Sequence, residues 1–148
     1  MYKHILLPTD GSKLATKAVK EGLRLAKALG AQVTAVNVVS EYQMVIDEGF
    51  VLPNAAVLRK RYEEETGKRS RKILDAVKTD AKAAGVRCRG VTLTSSIPYD
   101  AIIRQAKKSK CDLIMMASHG RKGIASILLG SETAKVLTHS TIPVLVVR

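Results

Sequence analysis

Apolar and polar positions follow two rhythms along this chain. The first apolar run, "HILL" at residues 4–7, is short and unbroken, and Pro8 stops it. Short unbroken runs bounded by turn residues are the pattern of strands covered on both faces. Thr9, Asp10, Gly11 and Ser12 follow as a turn able to cap a helix. From Ser12 to Leu29 the apolar or small residues Ala15, Ala18, Val19, Gly22, Leu25, Ala26 and Leu29 recur in steps of three and four. They form one helical stripe, and Gly30 stands where a glycine ends such a helix. Residues 33–39 predict a second strand and residues 40–53 a loop. Residues 53–84 predict a long helix with Ile73, Leu74, Val77 and Ala81 on one face, a break or kink at Gly67, and an end at Gly85. Residues 86–94 read as a third strand whose alternation slips at Gly90, where a bulge or strand end is expected. "SSIPYD" opens another helix with Pro98 in its first turn. That helix carries Ile102, Ile103 and Ala106 and ends in the cations Lys107, Lys108 and Lys110. "CDLIMMA" predicts a fourth strand, a helix follows Gly130-Ser131, and "IPVLVVR" predicts a fifth strand. Strand alternating with helix argues for one doubly wound α/β domain, residues 1–148, with a parallel sheet.

Composition narrows this picture. Apolar residues make up 46% of the 148 and aromatics 3%. The core must therefore be aliphatic, and modules that stack bases on aromatic rings are disfavoured. The formal charge is +12, which raises nucleic acid as a partner. The cations are scattered, however, and Lys17, Lys20, Arg24 and Lys27 recur as a solvated helix face would. No specific nucleic acid is expected, and the local use of the charge is to attract an anion the size of a nucleotide. Cys88 and Cys111 lie far apart in apolar contexts without metal-ligand spacing, and read as reduced core thiols of a cytoplasmic protein. No run approaches the length of a membrane span.

Ligands of open α/β sheets bind beyond the carboxyl ends of the strands, at the topological switch point. The candidate loops are residues 8–10, 38–40 and 117–123. Gly130-Ser131 opens a helix, whose N–H groups favour an anion. No GxxxxGK[ST] or GxGxxG is present. Asp10 lacks the neighbouring acids of a phospho-acceptor site. His4, His119 and His139 are dispersed, and no nucleophile–base pairing is legible. No catalytic residue and no metal ligand is assigned.

Four segments, "ILLPTDGS", "DLIMMASHGRKG", "LLGSETAKVL" and "IPVLVVR", together resemble the universal stress protein family over nearly the whole chain. The resemblance implies a five-stranded parallel sheet with helices on both faces, of the adenine nucleotide α-hydrolase-like kind. It implies a regulatory or stress-response protein that binds ATP or another adenine nucleotide, any Mg2+ being held by the phosphates. At most slow ATP hydrolysis or phosphotransfer would accompany binding. Nucleotide-binding members carry Gly, two residues, Gly, nine residues, then Gly with Ser or Thr. Here Gly120 and Gly130-Ser131 match, and Ala117 replaces the first glycine. By resemblance, Pro8, Thr9, Asp10, Val38, Met116 and Ala117 surround adenine and ribose. His119, Gly120, Arg121, Gly130, Ser131 and the N–H of Glu132 hold phosphates, with Lys122 on the loop between. Two departures stand out: a methyl at Ala117 and a carboxylate at Glu132. The resemblance also implies a homodimer through the last strand, Val144–Val147. The alternative is a member without nucleotide that acts through dimerisation and protein partners.

Overall fold

The computed structural model describes residues 1–44, 46–47, 49–51, 53–121 and 129–148. In chain order the elements are β1 (His4–Pro8), α1 (Lys13–Leu29), β2 (Gln32–Val39), β3 (Ile46–Asp47), β4 (Phe50–Val51), α2 (Ala55–Ala84), β5 (Cys88–Thr94), α3 (Pro98–Lys108), β6 (Leu113–Ala117), α4 (Ser131–His139) and β7 (Val144–Val147). Five strands form one sheet in the order β5-β2-β1-β6-β7, and every pair is parallel. The chain builds outward from β1 to β5, then returns to the other side of β1 with β6. The switch point lies between β1 and β6.

The doubly covered sheet explains the unbroken apolar runs. Ile5, Leu7, Val33, Ala35, Leu113 and Met115 pack with residues of α1 and α2. Leu6, Val36, Ile114 and Met116 pack with Ile102, Ile103 and Ala106 of α3 and Val136 of α4. Ile5, Leu6 and Leu7 are fully buried, and each contributes about 1.5–3 kcal/mol of apolar burial. The expected caps form. Ser12 Oγ accepts the N–H of Ala15, and Gly30 and Gly85 end α1 and α2 in the left-handed region at φ 64° and 74°.

Four local expectations change. Residues 46–51, expected within a loop, contain a short antiparallel pair, β3 with β4. The stripe on α1 also includes Leu23, which is buried, whereas Leu25 and Leu29 are only partly so. Gly67 does not break α2, which runs 30 residues. A single helical glycine costs about 1 kcal/mol relative to Ala, less than the packing of Ser70, Leu74, Val77 and Ala81 below it supplies. Gly90 makes no bulge, because β5 keeps its register with β2 through it, Gly90 opposite Ala35. Its reason is steric: a Cβ there would lie 3.1 Å from Leu74 Cβ on α2.

Gly22 has the same role on α1, where a Cβ would stand 2.5 Å from Leu7 Cδ2. Leu7 is fully buried and has nowhere to move. Overpacking a tight core costs about 1–3 kcal/mol, more than the few tenths that replacing a helical glycine by valine returns. Gly22→Val should therefore lower stability by about 2 kcal/mol. Urea unfolding should show a lower midpoint at unchanged slope. An unchanged or raised midpoint contradicts the packing.

Candidate functional site

The carboxyl end of β1 is tied down before it turns. Thr9 N–H donates to Val36 O at 2.8 Å, and Asn37 Nδ2 donates to Thr9 O at 2.9 Å. The turn then closes on itself. Asp10 Oδ1 accepts Ser12 N–H at 2.9 Å, and Thr9 Oγ1 accepts Gly11 N–H at 3.2 Å. These are side-chain-to-backbone turns of the kind Asp and Thr favour. Gly11 takes φ 76°, open to glycine and costly for other residues.

The carboxyl end of β6 meets the start of α4. Ser118 N–H donates to Val147 O, and Ser118 O accepts Gly130 N–H at 2.6 Å. Thr133 Oγ1 on α4 donates to Ala117 O at 2.9 Å. The two glycine breaks of the sequence therefore face each other. A Cβ on Gly130 would lie 3.1 Å from His119 Cα and 3.2 Å from Ser118 O. Gly130 is the N-cap of α4 and brings no capping side chain. The N–H groups of the first turn, with the positive end of the helix dipole, are left for an anion.

One carboxylate joins the two turns. Asp10 Oδ2 accepts Arg121 N–H at 2.8 Å. A Cβ on Gly120 would stand 2.5 Å from Asp10 Oδ2, and one on Gly11 would stand 3.5 Å from Arg121 Nη2. Burial alone would raise the pKa of Asp10. The hydrogen bonds from Ser12 and Arg121, with the charge of the Arg121 guanidinium, outweigh it and hold the carboxyl below the usual range.

The structure thus brings Thr9, Asp10, Gly120 and Arg121 into one group and His119, Gly130 and Ser131 into a second beside it. Ser118 Oγ and His119 Nδ1 are 3.3 Å apart. Val38 is half-buried near the end of β2, and Pro8 and Met116 are core residues. Lys122 lies outside the described residues.

Both sequence departures have partners of their own within the protein. The Ala117 methyl is buried and packs with Ala15 and Ala18 of α1. The Glu132 carboxylate turns away from the proposed phosphate position. Its Oε2 accepts Tyr99 N–H at 2.9 Å at the start of α3, and its Oε1 lies 3.4 Å from Lys135 Nζ. It caps a helix that has no N-cap side chain of its own. Asn37 and Thr133 were missed as supports of the turns. Asn37 carries a signal in hindsight, a lone amide within the apolar run "AVNVV".

Asp10→Ala should cost about 1–2 kcal/mol at neutral pH, because the N–H groups of Ser12 and Arg121 share one charged acceptor at a site where solvent screens part of the effect. A lowered folded pKa means that this stability is complete above the unfolded value of about 3.9. It is lost as pH falls through the lower folded value. The wild-type advantage in urea unfolding should be flat near neutrality and shrink below about pH 4. An advantage that persists undiminished in acid contradicts this account.

The sequence model of the universal stress protein family matches residues 1–148. Universal stress protein MJ0531 of Methanocaldococcus jannaschii is 34% identical over 148 residues, covering 100% of this chain and 83% of that protein. The solved structure of MJ0577, a protein of the same organism, is similar with a TM-score of 0.84 at 27% identity, over 99% of this chain and 96% of that one. A universal stress protein solved in complex with cAMP is similar with a TM-score of 0.71, also at 27% identity, over 99% and 97% of the two chains. This chain belongs to the universal stress protein family.

Proposed function

We propose that this protein binds an adenine nucleotide, ATP or a relative such as cAMP, between the Thr9–Ser12 turn and the Ser118–Arg121 turn, and acts as a regulatory or stress-response protein. One observation carries the reading: the N-terminus of α4, without a capping side chain, is held by the Gly130 N–H, 2.6 Å from Ser118 O, at the carboxyl end of β6 beside the switch point. That arrangement suits phosphates, and a similar protein was solved with cAMP. Adenine and ribose lie over Pro8, Thr9, Asp10 and Val38, with Met116 and Ala117 contributing backbone, since their side chains face the core. His119, Gly120, Arg121, Gly130, Ser131 and the N–H of Glu132 hold the phosphates. For a phosphate to take the Arg121 N–H, Asp10 Oδ2 must release it. Among the described residues no group of three His, Cys, Asp or Glu could hold a metal ion. A Mg2+ ion enters this reading on the phosphates.

Calorimetric titration of ATP, AMP and cAMP tests the reading. Wild type should bind at least one of them near one per chain. Ala117→Gly should bind as wild type does, because the methyl faces α1. Gly130→Val should bind none, since its side chain collides with the backbone of Ser118 and His119. Equal binding by wild type and Gly130→Val, or no binding by wild type, defeats the proposal.

A homodimer through β7 is the second part of the proposal. β7 is a sheet edge made of four apolar residues, and Leu145 is 43% exposed. Unprotected apolar edges pair with other strands, and pairing with a second copy across a twofold axis closes the edge. Light scattering should give a dimer for wild type at micromolar concentration and a shift toward monomer for Val146→Lys. A monomeric wild type removes this part and leaves the nucleotide site standing.

A further inference from the structure

At the opposite end of the sheet, where the parallel strands begin, cations collect. Lys3, Arg87 and Lys110 immediately precede or lie close before β1, β5 and β6. Helices α1, α2 and α3 end there with Lys27, Lys82, Lys107 and Lys108 in their last turns. Those helical lysines offset the negative ends of the helix dipoles and need no ligand to explain them. Arg87 and Arg89 belong to no helix. They are two residues apart along an extended segment, so their side chains leave on the same side, roughly 7 Å apart. A cleft of about 330 Å3 lies there, lined among others by His4, Gln32, Arg87, Arg89 and Ser109.

The inner wall of the cleft is a built polar network. Thr34 is fully buried and His4 is 7% exposed. His4 Nδ1 lies 3.3 Å from Gln32 Nε2, and its Nε2 lies 2.8 Å from Thr34 Oγ1. Burial, helped by the positive charge of Arg89 and opposed by Asp112, lowers the pKa of His4 and keeps the ring neutral. Arg89 Nε donates to Thr34 Oγ1 at 3.0 Å, and its Nη2 donates to Ser109 Oγ at 2.7 Å. Gln105 Nε2 donates to the same hydroxyl at 2.7 Å. The guanidinium is thus fixed by two hydroxyls and, among the described residues, by no carboxylate. Its remaining N–H groups, of five in all, have no acceptor among the described residues, and neither has Arg87. The neighbouring carboxylate, Asp112, already accepts the N–H groups of Lys3 and His4.

We propose that this cleft is a second ligand site, independent of the nucleotide turns, which takes a small phosphate-bearing anion between Arg87 and Arg89. Two guanidinium groups with free donors suit the double charge and several oxygens of a phosphate better than a single carboxylate. The volume is at the lower end for small-molecule sites and fits an inorganic oligophosphate or a phosphorylated metabolite. A bracing role for Arg89 between β5 and α3 would account for its own two bonds, but not for Arg87, which takes part in neither.

The test follows backbone amides and the His4 ring by NMR while inorganic pyrophosphate or glycerol phosphate is titrated into the full chain. Saturable shifts are expected at Thr34, Cys88 and Ser109. The His4 titration midpoint should rise, as a bound anion offsets Arg89. Arg87→Gln should weaken binding about tenfold, the loss of one charge-assisted contact, without disturbing the Thr34 and Ser109 bonds. Tighter pyrophosphate binding identifies the inorganic form, and tighter glycerol phosphate binding identifies an ester. The proposal fails if neither anion gives saturable shifts there, if the shifts fall only at Gly120 and Gly130, or if Arg87→Gln binds as wild type does.

Discussion

Everything at the carboxyl edge of this sheet depends on β1 being buried on both faces between two parallel neighbours. Its three central residues are inaccessible to solvent. Its register with β2 runs from His4 opposite Gln32 to Pro8 opposite Val36. That pairing delivers Thr9 to the carbonyl of Val36 and its own carbonyl to Asn37. The neighbour on the other side, β6, ends at Ala117, where Thr133 and Ser118 bring α4 into place. The candidate site is therefore two short turns mounted on the buried centre of the sheet, which is how an α/β fold keeps a binding loop in position without burying its backbone.

Much of this was legible because local chemistry and global packing agree. Ser12, Gly30, Gly85 and Pro98 announce helix ends by capping rules that do not depend on tertiary structure. The runs "HILL" and "LIMM" announce strands covered on both sides. What was not legible depends on neighbours distant in sequence. Gly67 and Gly90 look alike as interruptions, yet one is a tolerated residue in a long helix and the other makes room for Leu74. The direction of the Ala117 methyl and the partner of the Glu132 carboxylate follow from which face of the sheet each element covers. Spacing alone carries no such information.

The two ends of the sheet show opposite solutions to placing charge. At the carboxyl end a single acid, Asp10, gathers backbone N–H groups from both turns, and the basic side chain of Arg121 stands beside it. At the amino end a guanidinium is held by hydroxyls over a neutral histidine. The first arrangement is neutralised internally, whereas the second leaves positive charge unanswered among the described residues. Net charge, spread over helices as well as over these clusters, does not distinguish the two.

The bond between Asp10 and Arg121 spans 111 positions of the chain. Contacts of such separation carry a loop-closure cost that local turns do not. The two turns stand beside each other only where β6 pairs with β1. A chain still emerging from the ribosome, or one that has lost its last third, has the first turn and no second. Binding at this cleft would therefore recognise only the finished protein and, by mass action, draw the folding equilibrium toward it.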